Sequence, residues 1–505
     1  SKLRVDLVDK GRFGESGSSS VCLWGIAAAT SDEDSPELFF EDWVRYGCYI
    51  SEQNLVREVT TKSKKMVEDL EALGLAFIKN TEGRHHLNKG LGHGVARSRS
   101  SKPPYIVAAL RAEAKRRDVH IHEGIMITRL LQRNGRVIGA LGVSQNGEFF
   151  IFNTKAVILA AGGANFLYYP HVDHIIRDPR YHTTGDAFSL AFTAGASLID
   201  MEFAQFRDSP TGVARFGGRY LNVLGERFME RYAPQDLEKA SRSKMAESIY
   251  REMKAERGPI IWDLEGIRVS DEERETPVVK EFAGKRQIEI IVDFLRLLGG
   301  TRINERAESD VPGLFVAGES AGGVHGAGRM QSTSFLATQV FGTNAGRNAA
   351  ALSLSVEREN IVHDQLDEER ARIASTGGNI APAELTQTVQ RIMWEQVGVV
   401  RDEAGLRNAL AKLQSMREEM VPRLSKDNIF SRLEATNLLL TAEMVTMSAL
   451  TREETRGYQI RDDYPAQDDN WMKHVCISNR RNEIAISTIP VVITPSTAEN
   501  VERTI

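Results

Sequence analysis

"GLFVAGESAGGVHGAGRMQSTSFLATQVFG", residues 313–342, begins as a short apolar run, breaks into glycines and closes as an apolar helical pattern. One acid, Glu319, and one arginine, Arg329, stand in it among small side chains. Glycine is entropically costly to order, so such a cluster marks a place where something approaches the backbone closely. A strand running into glycine is the repeating unit of an open α/β sheet, whose ligands bind at the carboxyl ends of the strands. The same pattern recurs in "KAVILAAGG" (155–163), and "LRVDLVDKG" (3–11) ends in an acid and a glycine.

Between these runs the spacing predicts helices and strands in alternation. Val56, Val59, Met66, Val67, Leu70 and Leu73 keep a helical period, and Gly74 closes it. "PYIVAALRAEAKRRDVHIHEG" (104–124) predicts a helix and then a strand through Val119 and Ile121, and "GRVIGALGVS" (135–144) with "EFFIFN" (148–153) predicts a hairpin. From about residue 381 a helical block follows, marked by Leu406, Leu410, Leu413, Met416 and Met420 and by "LEATNLLLTAEMVTMSAL" (433–450). In an open sheet, Asp9 is placed to take a ribose hydroxyl pair, while "AAGG" (160–163) and "AGES" (317–320) offer bare backbone to a nucleotide. Together, and in this order, they predict a dinucleotide site.

Composition restricts the classes. A chain of 505 residues exceeds one ordinary core, so two or three domains are expected. A net charge of −5 without long basic blocks gives no reason to expect nucleic acid or a membrane surface. The most apolar stretch, "AVILAAGGA" (156–164), is too short to span a bilayer. Cys22, Cys48 and Cys476 are too dispersed for a disulfide framework, a zinc site or an iron–sulfur cluster. The expectation is a cytoplasmic or cytoplasm-facing protein with no metal centre of its own.

"TTGDAFSLAFTAGASLIDMEFAQF" (183–206), the 313–342 stretch and "TREETRGYQIRDDYPAQDDNWMKH" (451–474) together resemble the flavoprotein subunit of succinate dehydrogenase and fumarate reductase, whose superfamily includes L-aspartate oxidase and the adenylylsulfate reductase flavoprotein. The resemblance runs from about residue 5 to 475. It implies an α/β fold: a Rossmann-like FAD-binding domain (1–203 and 297–352), an inserted α+β capping domain (204–296) and a C-terminal helical domain (353–505). It implies that Glu319 bonds the FAD ribose, that Arg329 faces both flavin and a substrate carboxylate, and that Ser334 and Phe335 meet the isoalloxazine ring. Asp9, Lys10, Ser18, Ser19, Gly25, Met126, Ala161, Gly162, Gly163 and Asp186 complete the implied FAD contacts. Asp186 also reads as a helix cap, and the two roles are compatible.

The departures from the family pattern carry expectations of their own. The chain opens at what resembles the family's second strand, so the first strand and its phosphate-binding turn are expected to lie outside this sequence. Ser18 stands where many relatives attach FAD through a histidine, which implies non-covalent FAD; the alternative reading of Ser18, Ser19 and Ser20 is a plain turn. Trp24 replaces a family glycine. Arg207 takes the place of one substrate-binding histidine and Leu295 that of the other, and the segment between them is shortened at "VARFGGRYLN" (213–222). Arg242 matches the family's proton-donating arginine. For Arg207 the alternative is an ion pair with Asp208 or Glu202, and for Arg242 likewise a structural ion pair.

The implied reaction is hydride transfer between flavin N5 and a small anionic, carboxylate substrate, with Arg207, Arg242 and Arg329 as the basic groups. An apolar wall at Leu295 would make fumarate and succinate poor substrates. Electrons are expected to pass to a separate iron–sulfur subunit or soluble carrier, with any membrane association peripheral and through that partner. The alternatives are an amino acid oxidase like L-aspartate oxidase, a sulfur-oxyanion reductase flavoprotein and a non-catalytic electron-transfer subunit.

Overall fold

The computed structural model describes residues 3–20, 25–102, 106–169, 179–209, 217–269, 274, 277–361, 363–375, 377–481 and 483–493. Trp24 and residues 213–216 of the shortened segment lie outside them.

Each apolar run that ends in glycine or an acid forms a strand, and these strands pair in parallel. Asp6–Asp9 pairs with His120–Glu123, and Leu314–Val316 pairs with Val157–Leu159. The predicted hairpin gains a third strand: Ile125–Arg133, Arg136–Ser144 and Phe149–Asn153 form an antiparallel sheet. The helix predicted from Val56 spans Gln53–Ala72 and buries Val56, Val59, Met66, Val67 and Leu70. It packs into one apolar core with Val316, Leu336 and Phe341, so the sheet and the Ser334–Ser355 helix are fixed against each other. The α/β expectation stands.

Residues 204–297 contribute a separate antiparallel sheet in the order Ala204–Ser209, Gln287–Leu297, Ile260–Asp263, Arg219–Leu221. Its inner residues Phe206, Trp262 and Phe294 share a core with Leu385, Leu406 and Leu438 of the later helices Pro382–Gln396, Glu403–Glu419 and Ile429–Thr451. Asp402 and Asn428 cap the last two of these helices through their side chains, as short polar acceptors do. The helical block does not run to the end. Lys473–Arg480 and Glu483–Pro490 form a hairpin, and the first of them also pairs with Leu198–Ile199. The alternation of Val475 and Ile477, and of Ile484 and Ile486, was the available signal. Among the described residues no helix is long and apolar enough to cross a membrane.

Glu443 is the costly residue of the Ile429–Thr451 helix. Its side chain is 1% exposed, with Arg417 Nη1 3.5 Å away. Burial pushes the carboxyl up to about 7, with Glu418 adding to this and Arg417 opposing it. The folded state therefore holds a proton that the unfolded chain has released between the ordinary carboxylate range and about pH 7, and stability falls as pH rises through that window. Glu443→Gln is expected to be more stable than wild type by about 1–3 kcal/mol at pH 8, with the gain shrinking toward zero near pH 5. Denaturant unfolding at both pH values measures it; equal gains at both would refute the assignment.

Candidate active site

The carboxyl ends of the parallel strands open onto a cavity of about 970 Å³ that runs on to Arg207, Arg242 and Arg329. At the near end Asp9 closes its strand, and its Oδ1 accepts from the Gly11 amide at 2.8 Å and Ser16 Oγ at 3.2 Å. Lys10 Nζ donates to Asp186 Oδ2 at 2.7 Å and Glu434 Oε1 at 2.6 Å. Asp186 Oδ1 accepts from Thr184 and Asn437, both at 2.9 Å. Burial alone would lower the Lys10 ammonium and raise the Asp186 carboxyl. Their mutual attraction outweighs it, leaving Lys10 raised and Asp186 lowered, both charged. Asp186 is not a cap: Gly185 holds that position and Asp186 is the first residue of Asp186–Thr193. Glu434 and Asn437 come from the distant Ile429–Thr451 helix and carry no motif that announces them.

Farther in, Ser18, Ser19, Gly25, Met126, Ala161 and Gly162 line the wall. Ser18–Ser20 form a single 3-10 turn, and Ser18 Oγ accepts from Asn165 Nδ2 at 2.8 Å. Gly163 does not reach the wall. It lies beneath Glu319, and a Cβ there would stand 2.3 Å from Glu319 Oε1, so the missing side chain makes room for that carboxylate. Glu319 sits in the Gly318–Ser320 turn. Burial pushes its carboxyl up while Arg296 and Arg329 pull it back, and its buried Oε1 has no hydrogen-bond partner among the described residues. Buried polar atoms are seldom left so. An elongated cavity with an unspent acceptor and bare backbone fits a dinucleotide such as FAD.

The far end is built of guanidinium groups. Arg329 donates from Nε to Gln205 Oε1 at 3.0 Å and from Nη1 to Ser334 Oγ at 2.9 Å. Arg296 Nη1 reaches the same Ser334 hydroxyl at 3.0 Å, and Phe335 lines the wall beside it. Arg242 is the first residue of Arg242–Lys254 and is 4% exposed. Its Nε has no hydrogen-bond partner among the described residues. Among the described residues, Asp293, the cross-strand partner of Arg207, stands with Oδ2 3.7 Å from Arg207 Nη2. Asp208 accepts from the Tyr220 hydroxyl at 2.7 Å, and Glu202 receives Arg452 at 2.6 Å.

A register shift lies beside this end of the cavity. Gln205 pairs with Arg296 but Phe206 pairs with Phe294, so Leu295 is the extra residue of a bulge. Leu295 and Arg296 both line the cavity, as do Leu297 and Leu298 after them. The wall at Leu295 therefore carries a cationic side chain beside the apolar one. His325 also lines the cavity, stacked on Trp43 with ring centroids 5.5 Å apart. Burial, then Arg329 and Arg296, hold its pKa well below the usual histidine value, so the imidazole is neutral. The sequence reading passed over Arg296 and His325.

Residues 1–335 match the family described as FAD binding domain, and residues 386–505 match Fumarate reductase flavoprotein C-term. The chain is 34% identical to one of the subunits of the fumarate reductase (CoM/CoB) of Methanothermobacter marburgensis, over 95% of this chain and 94% of that protein. It is 28% identical to L-aspartate oxidase of Bacillus subtilis, over 90% of this chain and 86% of the relative. The solved structure of Mycobacterium smegmatis Sdh1 in complex with UQ1 superposes with a TM-score of 0.83 at 26% identity, covering 98% of this chain and 91% of that one. The chain belongs to the fumarate reductase and succinate dehydrogenase flavoprotein family, and is an FAD-dependent oxidoreductase.

Proposed function

We propose that this flavoprotein interconverts a small dicarboxylate pair, fumarate and succinate first among them, and exchanges electrons with a separate partner protein. The observation that carries the reading is the convergence of Arg207, Arg242, Arg296 and Arg329 on one end of the cavity. Guanidinium forks match carboxylate geometry and hold their charge at every working pH. The likeness to a fumarate reductase of more than one subunit supports both the substrate class and the partner.

Bound FAD supplies the hydride acceptor or donor. In this reading Asp9 and Glu319 meet ribose hydroxyls, while Ser18, Ser19, Gly25, Met126, Ala161 and Gly162 pack along the cofactor. The Lys10–Asp186–Glu434 cluster keeps the wall near Asp9 rigid. Ser334, held by two arginines, begins the Ser334–Ser355 helix beside the flavin ring, where the helix's N-terminal field favours negative charge. Arg329 and Arg296 grip one carboxylate, and Arg207, its charge partly balanced by Asp293, approaches the other. Arg242 stands where charge and a proton are needed at the neighbouring carbon. Arginine is a poor acid on its own; Asp208, which accepts from the Tyr220 hydroxyl within the field of Arg242, serves as the carboxylate relay in this reading.

The test is an anaerobic assay with a reduced dye as electron source. Fumarate consumption at rates ordinary for enzymes, about 1–10³ s⁻¹, is expected; peroxide formed from L-aspartate without fumarate turnover would instead establish the oxidase alternative. Ser18 in place of a linking histidine predicts dissociable cofactor. Acid precipitation of the holoprotein should leave the yellow colour in the supernatant, and flavin retained in the pellet would refute it.

A further inference from the structure

The last long helix, Ile429–Thr451, turns one stripe toward the strand ends at the near end of the cavity. Phe430, Glu434, Asn437 and Thr441 recur at the spacing of a single helical face. Phe430 lines the cavity and shares an apolar cluster with Met126 and Val143. Glu434 Oε1 accepts from Lys10 Nζ at 2.6 Å, across 424 residues of chain. Asn437 Nδ2 donates to Asp186 Oδ1 at 2.9 Å, across 251 residues. Thr441 is fully buried against Gly185, which adopts φ +80°. A Cβ on Gly185 would run into the Thr441 hydroxyl, so only glycine admits the helix this close.

The stripe therefore holds two turns of the cavity wall at once. Lys10 follows Asp9, the last residue of its strand, and Asp186 opens the Asp186–Thr193 helix. Two carboxylates, Asp186 and Glu434, share the one ammonium of Lys10. Its charge is balanced within the protein, so Lys10 serves as a tie between three segments rather than as a phosphate anchor. Asn437 meets Asp186 with an amide N–H, the only polar group of that side chain that a carboxylate can accept from. An acid at position 437 would face Asp186 with like charge.

We propose that Glu434 and Asn437 are positioning residues for the adenosine half of FAD, acting through Lys10 and Asp186, so that cofactor binding and the docking of the last long helix are linked. The flavin ring lies at the arginine end in the reading above, which puts the adenosine half at Asp9, and the inference rests on that placement. Lys10 is the neighbour of Asp9 in the chain, so a shift of the tie moves the carboxylate that meets the ribose. Linkage is reciprocal: a helix that holds the site for FAD is itself held by FAD.

The test uses apoprotein prepared from the complete chain, with FAD and ADP as ligands, since ADP fills the near end alone. Glu434→Gln and Asn437→Ala are each expected to weaken both ligands about tenfold, the worth of one hydrogen bond to a charged group. Malonate, a dicarboxylate that cannot be dehydrogenated, is expected to bind the FAD-saturated variants as it binds wild type. In a Lys10→Met background, Glu434→Gln is expected to weaken neither ligand, because the tie through which it acts is gone. FAD added to wild-type apoprotein is expected to slow hydrogen exchange along residues 431–441. Wild-type ADP affinity in both variants, or the same loss from Glu434→Gln with and without Lys10, overturns the inference. Losses that only track a fall in the Tm of the apoprotein overturn it in favour of a structural role. Wild-type apoprotein that binds FAD but not ADP overturns it together with the placement of the adenosine half at Asp9, and leaves the substrate reading standing.

Discussion

Replacing Arg242 with glutamine is expected to lower kcat for fumarate reduction about 10³-fold while FAD content is unchanged and KM moves less than tenfold. A positioned proton donor contributes roughly 10²–10⁴ in rate, and a donor aimed at developing charge in a dry site contributes about 10²–10³. Arg242 is placed for either role. It begins the Arg242–Lys254 helix, capped by Ser241 through its bond from the Lys244 amide at 3.2 Å, so the positive end of the helix adds to its field. It is almost fully buried, and its Nε has no hydrogen-bond partner among the described residues. Glutamine keeps some hydrogen-bonding capacity but loses the charge. Arg242→Lys should recover part of the rate, because an ammonium restores charge without the planar fork. Steady-state rates with a reduced dye decide it, and a kcat within tenfold of wild type for the glutamine variant would remove Arg242 from the chemistry.

What was legible in the sequence was what local chemistry dictates. Strands that end in glycine, the acid at Asp9 and the 313–342 stretch carry their conformational needs in consecutive residues, and the cavity gathers them as spacing and resemblance implied. Arg296, Asp293 and Tyr458 could not be read that way. Arg296 lies next to a register shift at Leu295, and a one-residue slip in register moves side chains to the other face, which no local pattern announces. Asp293 meets Arg207 through the same register, while Asp208, the neighbour that sequence proximity suggested, points to Tyr220. Tyr458 reaches Gln205 across 253 residues of chain. The terminal hairpin belongs to a different case, because its alternation was present in the sequence but lay beyond a long helical block.

Arg452→Met is expected to destabilise the protein by about 3–5 kcal/mol, the usual result of leaving buried charges without their partner. Arg452 has no exposed surface; it donates to Glu202 at 2.6 Å, to Glu454 and Trp471 O at 2.9 Å, and to Lys473 O at 2.6 Å. Glu454 is shared with Arg456, whose other nitrogens reach Cys48 O and Asp468 O, so one arginine ties the end of the last long helix to the start of the chain's final hairpin. Glu202 lies in the segment leading into Ala204–Ser209, the strand that carries Gln205 and Arg207. Loss of Arg452 should therefore raise KM for the substrate as well as lower Tm. The cost should also depend on pH. Burial, opposed by Arg452, already leaves the Glu202 carboxyl raised to about 7, and without the guanidinium it rises further. A proton on Glu202 removes the unpaired charge, so the variant should lose most at pH 8 and least near pH 5.5, where the folded state binds that proton and the unfolded chain does not. The double variant Arg452→Met with Glu202→Leu should recover part of the loss at pH 8, since a buried pair replaced as a pair costs far less than a pair that is broken. Denaturant unfolding of the four proteins of this cycle at both pH values measures it. A pH-independent loss below about 1 kcal/mol, the range of solvated pairs, would mean that the network does not brace the strand that carries Gln205 and Arg207.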